Sequence, residues 1–136
     1  MRTARRVCAL LLVAAALGGC GGDPDRDDDG NAVPSAWISR QYRALGADRL
    51  DPRDAPAAVA REIDGHAGAT SRFDSGDRVF LRYRDDIVAI SPHRTGSRIE
   101  VTDYRTGYRR WKSHLRSVWP DPDGAGFRGG GPGAGK

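Results

Sequence analysis

Across residues 78–101 apolar side chains return at every second position, a period that puts them on one face of a strand and on no single face of a helix. Val79, Leu81 and Tyr83 alternate with Phe80, Arg82 and Arg84 before Asp85-Asp86 interrupts the pattern. With those two aspartates as a hairpin turn, Tyr83 faces Val88 and Leu81 faces Ile90, so the larger apolar residues of both strands share a face. A second loop, His93-Arg94-Thr95-Gly96, sets Ile90 opposite Ile99 and Val88 opposite Val101. Three antiparallel strands follow. Their other face carries the rows Phe80, Ser91, Arg98 and Arg82, Ala89, Glu100, where small Ala89 lets Arg82 and Glu100 reach toward each other as a solvated pair. Arg84 and Arg98 find no acidic partner in this register, so the same face also reads as an arginine-lined surface for an anionic group.

Downstream, Arg105-Thr106-Gly107 reads as a turn and residues 108–112 as a fourth strand, with the inward choice between Arg110 and Trp111 left open. Tyr104, Tyr108 and Trp111 interleave with Arg105, Arg109 and Arg110. Such a set can stack on sugar rings or clamp phosphates, or pack an edge strand behind charged gatekeepers. Upstream, Trp37, Ile38, Tyr42 and Leu45 form one helical stripe over residues 34–45, which Gly46 stops. A second helix starts at Asp54, with Pro56 in its first turn and Ala57, Val59, Ala60 and Ile63 after it, and ends at Gly65. The expected fold is α+β: one or two N-terminal helices packed on a small three- to four-stranded antiparallel sheet, one domain over residues 34–119.

The two ends read differently. Residues 1–19 have a basic start (Arg2, Arg5, Arg6), an apolar run and small residues before Cys20, the three parts of a secretory signal. Leu17-Gly18-Gly19-Cys20 is similar to the bacterial lipobox, in which the cysteine receives a diacylglyceryl group and becomes the first residue of the mature chain. At ~0.8 kcal/mol per buried CH₂, such an anchor is stable where one acyl chain would be reversible. Arg5-Arg6 reads as a plain basic start, since Cys8 and Ala9 match a twin-arginine signal poorly; the export route is left open. Cleavage removes Cys8, so the mature chain has no cysteine pair to bridge. After Cys20, residues 20–33 form an acidic spacer with five aspartates at 23–29, too polar to fold alone. It lacks the glutamate and helices of a calcium loop. The tail, residues 120–136, is rich in glycine and proline and reads as disordered. Its last seven residues fit GxxxxGK, but neither the following Ser/Thr nor a helix is present, so nucleotide binding is not expected. Phe127 and Arg128 are the tail's contact candidates, for this domain or a partner.

The runs RYRDDIVAI and GSRIEVTDYRTGYRRW and the terminal FRGGGPGAGK resemble an uncharacterised family of bacterial lipoproteins, the domain-of-unknown-function family 4247. The resemblance covers most of the mature chain. It implies an exported, lipid-anchored protein and brings no activity, substrate or catalytic residue with it.

The expectation is a non-enzymatic module on the outer face of the cell membrane, held by lipidated Cys20, that binds a protein or an anionic envelope component. Arg84, Arg98, Arg105, Arg109 and Arg110 supply charge, and Tyr104, Tyr108 and Trp111 supply contact area. The alternative is an accessory subunit of a membrane protein complex whose tail folds on its partner; a small hydrolase using Asp103 or His114 ranks below both. His66, His93 and His114 lack partners at ligand spacing, so neither metal nor cofactor is implied. The arginine-over-lysine bias of a GC-rich composition argues against nucleic acid as a partner.

Overall fold

The computed structural model describes residues 31–124. Their elements run α1 (Ser35–Gln41), β1 (Arg43–Leu45), β2 (Asp48–Asp51), α2 (Pro56–His66), β3 (Ser71–Ser75), β4 (Arg78–Arg82), β5 (Asp86–His93), β6 (Gly96–Asp103), α3 (Tyr104–Arg110) and α4 (Lys112–Leu115). The strands form one antiparallel sheet in the order β1-β2-β6-β5-β4-β3. Helices cover both faces. Ile38, Tyr42, Val59, Ala60 and Ile63 pack on Val79, Leu81, Tyr83, Val88, Ile90 and Ile99. On the other side Tyr104, Tyr108, Leu115 and Trp119 pack on Phe80, Ile87 and Ala89. The second layer explains why 87–90 are four consecutive buried apolar residues: a strand covered on both faces has no polar side to alternate with.

The mixed α+β class is as expected, but the sheet has six strands rather than three or four. The first helix stops at Gln41 instead of Leu45, and the chain folds into the β1–β2 hairpin around Gly46. Gly46 holds φ +61° at the first central position of a two-residue turn, a conformation glycine adopts without strain. Gly76, at φ +63°, does the same between β3 and β4. The second helix begins at Pro56 much as expected.

In the central sheet, the β5–β6 register is the expected one: Ile90 opposes Ile99 and Val88 opposes Val101. The β4–β5 register differs by two residues, pairing Leu81 with Val88 and Val79 with Ile90. A two-residue slip keeps every side chain on its face, which is why the alternation could not exclude it. The turn has moved back by one residue, from Asp85-Asp86 to Arg84-Asp85: the Tyr83 N–H donates to Asp86 O at 2.9 Å and closes the hairpin in this register, and Asp85 O accepts from Tyr104 N at 2.7 Å. Tyr83 stays in the core, its hydroxyl donating to Ala67 O at 2.7 Å, and burial beside the Asp64 carboxylate pushes its phenol up to about 12. The rows on the second face therefore become Phe80, Ala89, Glu100 and Arg82, Ile87, Thr102. Arg82 lies 4.9 Å over the Tyr104 ring instead of reaching for Glu100.

The expected fourth strand over 108–112 is helix. Asp103 caps α3, its Oδ1 accepting from Thr106 N at 3.0 Å, and Tyr104, Tyr108, Trp111 and Leu115 recur at helical spacing toward the sheet. Gly107, which looks like a turn residue, lets α3 lie against β5: a Cβ there would stand 3.2 Å from Ile87 Cβ. The chain then returns over α3, with Tyr104 Oη donating to Pro120 O at 2.8 Å and Pro122 buried.

These contacts give stability a pH signature. The Thr106 hydrogen bonds hold the Asp103 carboxyl below its usual range, and the Lys112 ammonium and Arg109 guanidinium do the same for Asp121 and Asp123. A depressed folded-state value stabilises fully above the unfolded value of about 4 and is lost as pH falls through the folded one. Asp86 has the opposite sign, because burial and then Asp85 and Asp103 raise it, so protonating it relieves a penalty. Urea midpoints are expected to rise slightly as pH falls through the raised Asp86 value, then to fall as pH drops below the ordinary carboxylate value of about 4. Asp86→Asn should abolish the rise and leave the fall; a rise that persists in this variant contradicts the assignment.

Candidate functional site

Helices α3 and α4 do not cover the whole second face. Toward the β5–β6 hairpin they leave a hollow of about 220 Å³ lined by Arg78 from β4, Ala89, Ser91, Pro92 and His93 from β5, Arg98 and Glu100 from β6, and Trp111 between the two helices. Ala89 makes the space, since its methyl group is all that stands between Phe80 and Glu100 in that row. Trp111 forms one wall. Its ring packs edge-on against buried Phe80, with centroids 5.5 Å apart, and the Arg78 guanidinium lies over the ring, 5.6 Å from its centroid.

The charges are arranged unevenly around the hollow. The Glu100 carboxylate, 9% exposed, is paired with Arg110 from α3. Arg98 is pinned by Asp48 on β2, its Nε donating at 2.7 Å, yet keeps half its surface open. The expectation that Arg98 lacks an acidic partner is therefore corrected: β2, absent from the three-strand reading, brings Asp48 beside it. Arg78 meets Asp77 at only 3.7 Å, and Asp77 is largely solvated. Among the described residues three side-chain N–H groups are buried without a hydrogen-bond partner, Arg78 Nε and Trp111 Nε1 on residues that line the hollow and Arg49 Nε away from it.

The expected binding residues do not gather in one place. Arg98 and Trp111 line the hollow, and Arg110 reaches its rim through Glu100. Tyr104 and Tyr108 are buried against the sheet, their rings stacked 6.0 Å apart, where they serve as core. Arg105 and Arg109 lie on the outer face of α3 and hold Asp123 at 3.2 and 2.9 Å. Arg84 sits in the β4–β5 loop, 4.0 Å from Asp85, at the other end of the sheet. Asp103 caps α3 at that far end, while His114 Nδ1 contacts Ser75 Oγ at 2.9 Å near the β3–β4 turn, so the fold does not bring this pair together. Sequence reasoning missed Arg78, Ser91 and His93 as neighbours of Trp111. Small Ala89 on the central strand was the signal that pointed there.

Cys20, Phe127 and Arg128 lie outside the described residues. Among the described residues no cluster of His, Cys, Asp and Glu could hold a metal ion, and no helix is long and apolar enough to cross a membrane. A second, more open groove of about 530 Å³ lies where the chain enters the domain, lined by residues 32–37 with Arg40, His66 and Ala67. There Trp37 stacks on His66 at 4.3 Å, so this histidine is packed against an aromatic ring.

Comparison with curated proteins and with solved structures returns no match. The family model described as Domain of unknown function (DUF4247) matches residues 13–136, which include every residue of the hollow, and the chain belongs to that family.

Proposed function

We propose that this protein is a lipid-anchored, extracytoplasmic and non-enzymatic binding module, and that the Trp111 hollow takes an anionic group of an envelope component. The carrying observation is the pair of donors, Arg78 Nε and Trp111 Nε1, buried without a partner among the described residues, on residues lining a hollow that Arg98 also lines. A buried N–H without an acceptor costs about 1–3 kcal/mol, and a phosphate or carboxylate entering the hollow is an acceptor that a small shift of the Arg78 and Trp111 side chains brings within their reach. The volume suits one such group with part of its carrier, since drug-sized ligands fill about 300–1,000 Å³.

The test is titration with a soluble polyglycerol phosphate. Arg78→Gln is expected to weaken binding about tenfold, as loss of one charge-assisted hydrogen bond does, and raising the salt concentration should weaken the wild type further. Arg109→Gln, whose guanidinium is engaged with Asp123 outside the hollow, should leave affinity unchanged. Equal affinities for wild type and Arg78→Gln would remove the hollow from the account.

A further inference from the structure

The position of the hollow relative to the chain's entry into the domain bears on where its ligand comes from. Asn31 O accepts from Arg84 N at 3.1 Å, and Asn31 is also bonded to Gly68 and Thr70, which fixes the entry beside the β4–β5 loop. The hollow lies toward the opposite end of the sheet, against Ser91, Pro92 and His93 of the β5–β6 hairpin. From Asp86 to His93 the strand advances by about 23 Å at roughly 3.3 Å per residue. Cys20 and Asn31 are joined by a stretch of at most about 40 Å, so a lipid on Cys20 tethers the domain by its entry end, and what turns that end toward the bilayer is its surface. That end also carries the groove with Val33, Pro34, Trp37 and Arg40, the mix of apolar, aromatic and basic groups that suits a membrane interface.

We infer that the hollow faces away from the membrane and takes its anionic group from a polymer outside the bilayer, not from lipid headgroups. This rests on the lipid-anchored binding reading above. A polymer fits better than a protein. Among the described residues Val118, 42% exposed, is the one large apolar side chain left open to solvent, whereas protein interfaces centre on several buried apolar or aromatic anchors. A small polar hollow with a single indole wall matches one repeat of a charged chain.

The experiment uses the full lipidated protein in phosphatidylcholine vesicles containing phosphatidylglycerol. Because Cys20 is acylated, Arg94→Cys at the hairpin and Ala32→Cys at the entry each offer one thiol for a dye. Energy transfer to a labelled lipid should place the dye at 94 about 20 Å farther from the bilayer than the dye at 32. Soluble polyglycerol phosphate should bind the vesicle-held and free proteins equally, with no competition from phosphatidylglycerol. Equal distances, or competition by the anionic lipid, would overturn the inference. A protein captured in place of the polymer, and lost on Trp111→Ala, would overturn it too. A chain that fails to attach to vesicles ends the anchored reading and this inference together. A chain that attaches but binds no polymer ends the ligand assignment, while the two distances still report the orientation.

Discussion

Replacing Gly96 by alanine is expected to destabilise the domain by about 3 kcal/mol or more, the upper end of what overpacking costs. Gly96 is buried at the start of β6, where the chain passes under the segment that follows β2. A Cβ there would fall on Asp51 O and within 2.5 Å of Pro52 C and 2.8 Å of Arg53 N. All three are backbone atoms, so no rotamer change makes room, and the crossing segments must separate. Their separation would also strain the anchors alongside, Thr95 Oγ1 to Pro52 O at 2.9 Å and Ser97 Oγ to Asp54 O at 2.6 Å. The urea midpoint should fall sharply, and amides of Arg49 and Leu50, which pair with β6, should lose protection from hydrogen exchange first. An unchanged midpoint would show that β2 is not held as described.

Phe80→Ala should cost a further-reaching 3–5 kcal/mol or so, as truncating a fully buried phenylalanine does. Phe80 is the floor of the second layer. Its ring meets Phe73 at 6.4 Å, Trp111 at 5.5 Å and His114 at 5.7 Å, and small Ala89 beside it cannot fill the void. Since native domains hold only about 5–15 kcal/mol, this one change consumes a large share of the total. Trp111 would lose its support, so near-ultraviolet dichroism from tryptophan should weaken at temperatures where the far-ultraviolet signal persists. Phe80→Leu should recover most of the stability because it refills most of the volume. A Phe80→Ala protein with the wild-type midpoint would mean that the second helical layer contributes little.

Particular residues show how much of this was legible. The alternation over 78–101 gave the face of every residue and the β5–β6 register, because Arg94-Thr95 closes that hairpin at the length the pattern demands. It could not place the two-residue turn between β4 and β5, since a register shift of two leaves the pattern unchanged. The outer strands were hidden for another reason: β1 is three residues long and β2 four, too short to show a period of their own. Their signals were Gly46-Ala47 and Gly76-Asp77, each a two-residue hairpin turn with glycine first. The segment 104–115 carried the clearest unread message. Asp103 ahead of Tyr104, Tyr108, Trp111 and Leu115 is a helix cap followed by a helical stripe, and the Thr-Gly inside it suggested a turn.

That misreading bore on the site. As a strand, 108–112 would have displayed aromatic and arginine side chains together; as a helix it sends Tyr104 and Tyr108 inward and leaves Trp111 at the edge of the sheet's uncovered part. Lone arginines were equally misleading, because Arg98, Arg105, Arg109 and Arg110 each have an acidic partner supplied by a distant stretch of chain. Arg78 and Trp111 therefore stand out less by their charge and ring than by lining one hollow while each has a buried donor with no partner among the described residues, a state that Arg49 Nε shares elsewhere.

The three tryptophans allow a direct reading of that claim, since each occupies a different place: Trp37 against His66, Trp119 with its Nε1 donating to Ser71 Oγ at 3.2 Å, and Trp111 in the wall of the hollow. The decisive measurement is the set of indole N–H resonances during titration with polyglycerol phosphate. The Trp111 signal is expected to move alone and saturate, as its unpartnered Nε1–H gains an acceptor. A Trp37 signal that moves while Trp111 stays fixed, or three signals that never move, would contradict the assignment of the hollow as the binding site.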